Sequence, residues 1–441
     1  MTPTKASRLP TLPFGTTLPF GAPQKVERFV LENGLRVLLL PDRSAPLIAL
    51  QLWFKVGSRH EKKGKTGLAH LFEHLMFNQF ESLAAGEFDV KMESMGADNN
   101  ASTWLDFTQY QEAFPKKHLR AVLELEAHRM TSLVLESEPV AREKEVVMNE
   151  RRYRVDDDVD GAAEELLYKT AFSAHPYHSP TIGWMKDIEG LSPQDCKQFY
   201  AQYYCPNNAT LVLVGDLSPA RALSLVSRAF GHIPQAEVPE EDTHFDPPQT
   251  TGKQVAVELP TATSKLQVGF LGPALGDEDH VLACLLVEVL TSGNASRLHQ
   301  RMVYRDQIAS EVAGFVGPHR DPSLIEFSAS AREEADAQTL LLTLETELEK
   351  LRSQPISNEE LERAKARFEF SQLGGMETAE GKASQLGFYD TLLGNPVAAW
   401  ERLERAQRAQ ASDLRRVARR YLRPERQTSV LVSSSTPEAG A

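Results

Sequence analysis

The alternation of hydrophobic and polar positions in the first half of the chain predicts a sheet with helices around it. Residues 26–40 read as two strands flanking Asn33-Gly34, a strong hairpin turn signal. A third, largely buried strand is predicted over residues 46–56. Further strands are expected on both sides of Leu105-Asp106 and over residues 209–216.

Periodic apolar positions predict helices between these strands. Gly96 is expected to end one helix, and Ser192 with Pro193 to begin another. The predicted helices are 67–77, 87–95, 118–131, 138–153, 161–172, 193–204 and 219–230.

A proline-rich stretch without periodicity predicts a linker over residues 233–252. The pattern then starts again, with strands at 254–259, 266–270, 308–315, 324–329 and 428–432, and helices at 281–290, 335–351, 358–373, 379–392 and 411–421. The predicted organisation is an extended N-terminal arm (1–24), a first domain (25–232), the linker and a second domain (253–441).

The two halves look like copies of one plan. Leu68-Ala-His-Leu-Phe-Glu-His-Leu matches Leu282-Ala-Cys-Leu-Leu-Val-Glu-Val, and each follows a buried strand. In this pairing Cys284 replaces His70, and Glu288 replaces His74. The pattern favours an α+β fold of two similar domains, each an antiparallel-rich sheet packed with helices, related by duplication and facing each other across a cavity.

Composition excludes several classes of function. The formal net charge of −13 argues against a nucleic-acid partner, and the apolar runs are too short to span a membrane. Three scattered cysteines form no disulfide framework or metal spacing. With no signal-peptide pattern at its start, the chain is expected in the cytoplasm, or in the periplasm if a signal has been removed.

The candidate chemistry lies in the helix predicted at residues 67–77. His70 and His74 share one helix face, where two imidazoles can bind one metal ion, and Glu73 lies close to that face. His-x-x-Glu-His is the inverted zinc-peptidase motif, in which the glutamate is the base. The alternative is an ordinary amphipathic helix with two surface histidines.

A catalytic zinc needs a third protein ligand. On the helix predicted at 138–153, Glu143, Val147 and Glu150 fall on one stripe. A stripe of valine and two carboxylates indicates a buried face that carries acids, which is costly unless they bind something. The alternative is a charged helix with chance valines.

The sequence resembles the pitrilysin/insulinase/mitochondrial-processing-peptidase family of zinc metallopeptidases, in its short bacterial branch. The resemblance runs from Val26 to Val432 and is strongest in residues 32–37, 67–77, 96–103, 142–150 and 204–216. It implies one Zn²⁺ per chain held by His70, His74 and Glu150, with Glu73 as the catalytic base. It also implies that Glu143 supports a metal-binding imidazole.

The resemblance implies a zinc endopeptidase that cleaves unfolded peptides inside a two-domain chamber. Asn100, Ala101, Ser102 and Thr103 are expected to form an edge strand that binds the substrate backbone. The alternatives are a non-catalytic scaffold subunit or a dedicated maturation peptidase for one precursor. His175 and His178 lie between prolines in a predicted loop, and we leave them out of the site.

The second half departs from the family pattern. Many active members place an arginine and a tyrosine at positions that match Val303 and Ser310, and neither of these side chains can replace a guanidinium or a phenol. The expectation is therefore a heterodimer with a homologous, metal-free subunit that supplies the Arg/Tyr pair, with a homodimer as the alternative.

Overall fold

The computed structural model describes residues 7–8, 25–240, 245–332 and 334–434. Contacts between residues divide the chain into two compact units. Unit 1 contains residues 1–149, 180–242 and 374–398, and unit 2 contains residues 150–179, 243–373 and 399–441.

The core of unit 1 is built on a sheet that contains seven strands within the described ranges. Its spatial order is β1-β2-β3-β7-β4-β6-β5, and the β3–β7 pair is parallel while the other pairs are antiparallel. The strands are β1 (Ser7–Arg8), β2 (Glu27–Val30), β3 (Arg36–Pro41), β4 (Leu47–Phe54), β5 (Asp98–Thr103), β6 (Thr108–Pro115) and β7 (Ala209–Gly215).

The sheet of unit 2 has five strands in the described part of the chain, in the order β10-β11-β9-β12-β8. Its parallel pair is β8–β12, and the other pairs are antiparallel. The strands are β8 (Lys253–Leu259), β9 (Lys265–Leu271), β10 (Ala309–Val316), β11 (Leu324–Ala331) and β12 (Gln427–Ser434). This order repeats β5-β6-β4-β7-β3 of unit 1, so the two sheets share one topology.

The described helices connect these strands singly or in runs of several helices. They are α1 (Leu68–Leu75), α2 (Glu87–Ser94), α3 (Leu119–Thr131), α4 (Ser137–Arg151), α5 (Val159–Ala171), α6 (Met185–Glu189), α7 (Pro193–Tyr203), α8 (Pro219–Phe230), α9 (Glu278–Thr291), α10 (Ala337–Ser353), α11 (Asn358–Gly374), α12 (Ala379–Leu393), α13 (Ala398–Arg408) and α14 (Ala411–Tyr421). In both halves a helix, α1 or α9, follows the matching strand of the shared topology, β4 or β9. The α+β prediction and the internal duplication are therefore confirmed.

The domain bounds differ from the contiguous ranges 25–232 and 253–441 because two helices cross over in the chain. Helix α5 packs against β8, β9 and β12 of unit 2, and α12 packs against β4 and β7 of unit 1. Each helix follows the long helix of its own half, α4 or α11. Its apolar face, with Ala163 and Leu167 in α5 and Ala383 and Leu386 in α12, is buried.

The structure describes most of the predicted linker but little of the predicted N-terminal arm. Of the 233–252 stretch, the described residues contain neither helix nor strand. The predicted N-terminal arm lies outside the described residues except for Ser7–Arg8, which pair with Phe29 and Val30. Among the described helices, none combines the length and the apolar character needed to cross a bilayer.

Candidate metal centre

Helix α1 places the two histidines of the motif side by side. Leu68, Leu71, Phe72 and Leu75 are buried and fix one side of the helix to the core of unit 1. The ring centroids of His70 and His74 lie 5.1 Å apart at an interplanar angle of 72°. His70 is buried while Glu73 and His74 are half-buried, so the motif faces partly toward solvent.

Helix α4 brings the third candidate ligand to the same place. Val147 is fully buried, whereas Glu143 and Glu150 on the same stripe are half-buried. Each of His70, His74 and Glu150 offers one ligand atom, and the three atoms lie within 4.8 Å of one another. Among the described residues, this is the only such group of histidine, cysteine or carboxylate side chains.

The donor set fits a zinc ion. Two imidazole nitrogens and one carboxylate oxygen form a three-residue set that catalytic zinc takes, with the fourth position left for water. In a tetrahedral site with bonds near 2.0–2.1 Å, two ligand atoms are about 3.3 Å apart. The three observed atoms lie within 4.8 Å of one another, so they are grouped tightly enough to face one ion, although this limit is wider than the spacing of a bound set.

Glu143, also on α4, lies beside the imidazole of His74. Its Oε2 lies 3.9 Å from Nδ1 of His74, which leaves Nε2 of that ring for a metal. Its Oε1 accepts a hydrogen bond of 2.9 Å from Nδ2 of Asn78, and Arg142 donates to Oδ1 of Asn78 at 3.1 Å. These contacts hold a negative charge beside a candidate ligand, as support of an imidazole requires.

Two further groups next to the ligands were not found from the sequence. Arg154, in the π-helical turn Arg152–Asp156 that continues α4, pairs its Nε with Oε1 of Glu150 at 3.0 Å. The i,i+4 spacing was a signal for this pair. Glu61 accepts hydrogen bonds from the backbone N–H groups of Gly67 and Ala69, at the start of α1. The polar loop around Glu61 gave no signal of that role.

The predicted substrate strand is an edge strand. Among the described strands, β5, which contains Asn100 to Thr103, lies at the end of the sheet of unit 1 and pairs with β6 only. Helix α1 lies against β5. The backbone N–H of Ala101 donates to Oδ1 of Asn100 at 2.8 Å, which satisfies this donor within the strand itself.

The other residues weighed in the sequence lie in unit 2. Val303 is half-buried against the core of that unit, and the exposed Ser310 donates its hydroxyl to the carbonyl of Ser330 at 3.2 Å. His175 is buried, with Nε2 3.2 Å from Oδ2 of Asp321, and Nδ1 of His178 lies 2.9 Å from the carbonyl of Phe172. Both histidines thus contact neighbouring loop and helix groups.

In the part of the chain that the structure describes, the second copy of the motif does not form a group of three metal-ligating side chains. At the position of His70, Sγ of Cys284 lies 3.6 Å from Nδ1 of His280. At the position of His74, Glu288 pairs with Arg367 at 2.9 Å. Helix α9 packs into the core of unit 2, as α1 packs into that of unit 1.

Comparison with known proteins gives the family. The model described as "Insulinase (Peptidase family M16)" matches residues 36–184, and "Peptidase M16 inactive domain" matches residues 190–368. The zinc protease PqqE of Helicobacter pylori is 31% identical, over 92% of this chain and 93% of its own length. An Arabidopsis thaliana chain named "Probable mitochondrial-processing peptidase subunit beta" is 23% identical, over 89% of this chain and 75% of its own length.

A solved structure agrees with these matches. The crystal structure of a protease from Helicobacter pylori superposes with a TM-score of 0.89 and 30% identity, covering 93% of this chain and 99% of the other. The two family models cover the two halves of the chain in order, the first of them with the histidine motif. The chain therefore belongs to peptidase family M16, the insulinase family of zinc proteases.

Proposed function

We propose that this chain is a zinc-dependent endopeptidase that cleaves extended, unfolded peptides. The observation that carries the proposal is the group of His70, His74 and Glu150, whose ligand atoms converge within 4.8 Å. In this proposal the three side chains hold one zinc ion per chain and Glu73 is the general base.

The chemistry follows from the residue types. When bound, zinc lowers the pKa of a coordinated water molecule toward about 7 and polarises a carbonyl group. Glu73, one residue from His74 on α1, accepts a proton from the attacking water and delivers it to the nitrogen of the leaving peptide. Glu143, whose Oε2 lies 3.9 Å from Nδ1 of His74, would favour the tautomer with the proton on Nδ1, so that Nε2 would be the nitrogen that holds the ion.

Substrate binding is assigned to the open edge of β5. An extended peptide can add to an edge strand through backbone hydrogen bonds, which select for extended conformation more than for side chains. Because α1 lies against β5, a peptide on this edge lies beside the helix that carries Glu73. This supports an endopeptidase of broad sequence preference.

Metal analysis and peptide hydrolysis test the proposal together. The purified chain is expected to contain about one zinc per chain and to cleave a fluorescence-quenched peptide. Glu73→Gln is expected to retain the zinc and lose at least about 10²-fold in turnover, because the general base is gone. A zinc-free chain, or equal turnover of the Glu73→Gln variant, would contradict the proposal; zinc without hydrolysis of any peptide would favour a scaffold role.

We also propose that the complete site is shared with a homologous subunit. Val303 and Ser310 stand where family members carry the Arg/Tyr pair, and one relative is named as a subunit of a processing peptidase. The isolated chain is then expected to turn over slowly and to gain activity from a metal-free homologue that carries the pair. Full turnover by the monomer or homodimer, measured with sedimentation velocity on the same sample, would contradict it.

A further inference from the structure

Helix α1 begins without a cap of its own. Its N-cap residue is Gly67, in the left-handed region at φ +89°, and glycine has no side chain to accept the first N–H groups of a helix. Glu61, six residues earlier, takes over this role: Oε2 accepts from the Gly67 N–H at 2.8 Å and Oε1 accepts from the Ala69 N–H at 2.7 Å. A single carboxylate thus accepts hydrogen bonds from two backbone N–H groups at the start of the helix.

The surrounding contacts fix the same turn from its other side. Thr66 donates its hydroxyl to Oδ2 of Asp187 at 2.8 Å and accepts the N–H of Trp184 at 2.9 Å. Gly183 approaches so closely that a Cβ added to it would lie 2.5 Å from Cα of Gly67. The start of α1 is therefore held between the loop that carries Glu61 and the segment before α6.

The electrostatics of Glu61 are unfavourable unless its hydrogen bonds are made. Burial raises the pKa of Glu61 well above its usual range, and the charge of Asp187 acts in the same direction, while the N–H groups of Ala69 and Gly67 oppose both. Burial disfavours the charged carboxylate, and both of its oxygens accept hydrogen bonds from the first turn of α1. This arrangement indicates that Glu61 positions that turn.

We propose that Glu61 is a positioning residue of the metal centre, which holds the first turn of α1 so that His70 stays in register with His74 and Glu150. The inference rests on the proposed zinc site. His70 follows Ala69 directly, so a first turn that frays displaces this ligand, whereas His74 lies in the second turn. Loss of the cap is therefore expected to act on metal affinity more than on global stability.

Other helices differ from α1 in having a side-chain cap at their own N-cap residue. Helices α5, α10 and α12 are capped by their own N-cap residues, Asp158, Asp336 and Thr378, and none of these helices carries a candidate ligand. Asp336 accepts the Thr339 N–H at 2.7 Å in unit 2 and makes a matched control. Asp336→Ala removes a side-chain cap far along the chain from the motif.

The experiment measures zinc affinity by competition with a chromophoric chelator, together with the thermal midpoint of the zinc-free protein. Glu61→Gln places an amide NH₂ against one of the two N–H donors, and its zinc dissociation constant is expected to rise by about 10- to 100-fold. Asp336→Ala removes an N-cap and is expected to lower the thermal midpoint, while its zinc dissociation constant stays within about twofold of the wild-type value.

Cobalt substitution provides a readout that a merely structural role would not change. The visible absorption of Co²⁺ reports the ligand geometry, and it is expected to change in Glu61→Gln and to be unchanged in Asp336→Ala. Glu61→Asp, which keeps the charge on a shorter side chain, is expected to give an intermediate affinity and serves if the glutamine variant does not fold. Wild-type affinity and spectrum in Glu61→Gln or Glu61→Asp would overturn the inference, whereas failure of the wild-type chain to bind zinc would refute the proposed function itself.

Discussion

Glu143 and Glu145 are two residues apart on α4, but only Glu143 contacts the candidate site. Its Oε2 lies 3.9 Å from Nδ1 of His74, while Glu145 is exposed on another face. Glu143→Gln is expected to weaken zinc binding by about 10- to 100-fold, because the amide no longer stabilises the proton on His74. Zinc titration checks this, with Glu145→Gln as the control of equal charge change; equal affinity of the two variants would contradict the role of Glu143.

A second carboxyl group, in unit 2, predicts a dependence of stability on pH. Burial raises the pKa of Glu326 to about 8, with the charge of Glu164 acting in the same direction, while a hydrogen bond of 2.6 Å donated by the Tyr168 hydroxyl opposes both. In the unfolded chain the pKa of a glutamate is about 4.3. At a pH between these two pKa values, Glu326 holds a proton in the native state and has released it in the unfolded state.

The sign follows from this difference in bound protons. As pH rises from about 4.3 to about 8, the unfolding free energy falls by up to about 1.4 kcal/mol per pH unit. Glu326→Gln removes this term, so the stability of the variant relative to wild type is expected to increase from pH 5 to pH 8. Denaturant titrations across that range measure it, with the exposed Glu311→Gln on β10 as the control; parallel pH profiles of wild type and Glu326→Gln would contradict it.

At the scale of elements, the edge of β5 is expected to bind substrate through its backbone. The N–H of Ala101 bonds to the side chain of Asn100 within the strand, so a peptide can compete for it. Ala101→Pro removes this donor, and proline is tolerated on edge strands. We expect KM for an extended peptide to rise about fivefold, the value of one hydrogen bond near 1 kcal/mol, with little change in the thermal midpoint. Ala101→Ser, which keeps the N–H, is expected to match wild type; a similar KM for both variants would count against β5.

The crossover of α12 onto the sheet of unit 1 depends on a close contact at a glycine. A Cβ added to Gly387 would lie 2.1 Å from Nε1 of Trp53 in β4, whereas one added to Gly374 meets nothing within 4 Å. Gly387→Ala is expected to lower the unfolding free energy by about 1–3 kcal/mol through overpacking. Gly374→Ala is expected to be neutral or to stabilise by up to about 1 kcal/mol. Chemical denaturation distinguishes them, and equal effects would mean that α12 does not pack tightly on β4.

Periodicity predicted most elements because their signals are local. The hairpin at Asn33-Gly34, the Ser192 cap of α7 and the apolar helices α1 and α9 all depend on neighbouring residues, and the structure forms each of them. Helix α6 has five residues, too few for a periodic signal, and α13 was not predicted. An apolar face shows that a helix is buried but not which strands it packs against. The crossover of α5 and α12 therefore had no signal in the sequence.

The residues of the candidate site also differ in whether a local sequence signal predicts them. His70, Glu73 and His74 were found because their spacing is fixed within one helix. Periodicity limited the search for the third ligand to one stripe of α4, and the family resemblance then selected Glu150 on that stripe. Glu61 acts across a loop on backbone N–H groups, and such contacts leave no residue pattern to read.

At the scale of the whole molecule, the topology is duplicated, but among the described residues the group of candidate ligands forms once. Since His70, His74 and Glu150 come from two helices far apart in the chain, zinc is expected to bind the folded state in preference to the unfolded one.

Removal of the metal should therefore change both activity and stability. With free zinc at about 100 times its dissociation constant, the bound ion contributes about 2.7 kcal/mol to the unfolding free energy. A chelator is expected to abolish peptide hydrolysis and to lower the thermal midpoint, and added Zn²⁺ should restore both. In His74→Ala the thermal midpoint should no longer respond to either reagent. Hydrolysis that survives complete removal of zinc, or a zinc-dependent midpoint in His74→Ala equal to that of wild type, would place the metal elsewhere.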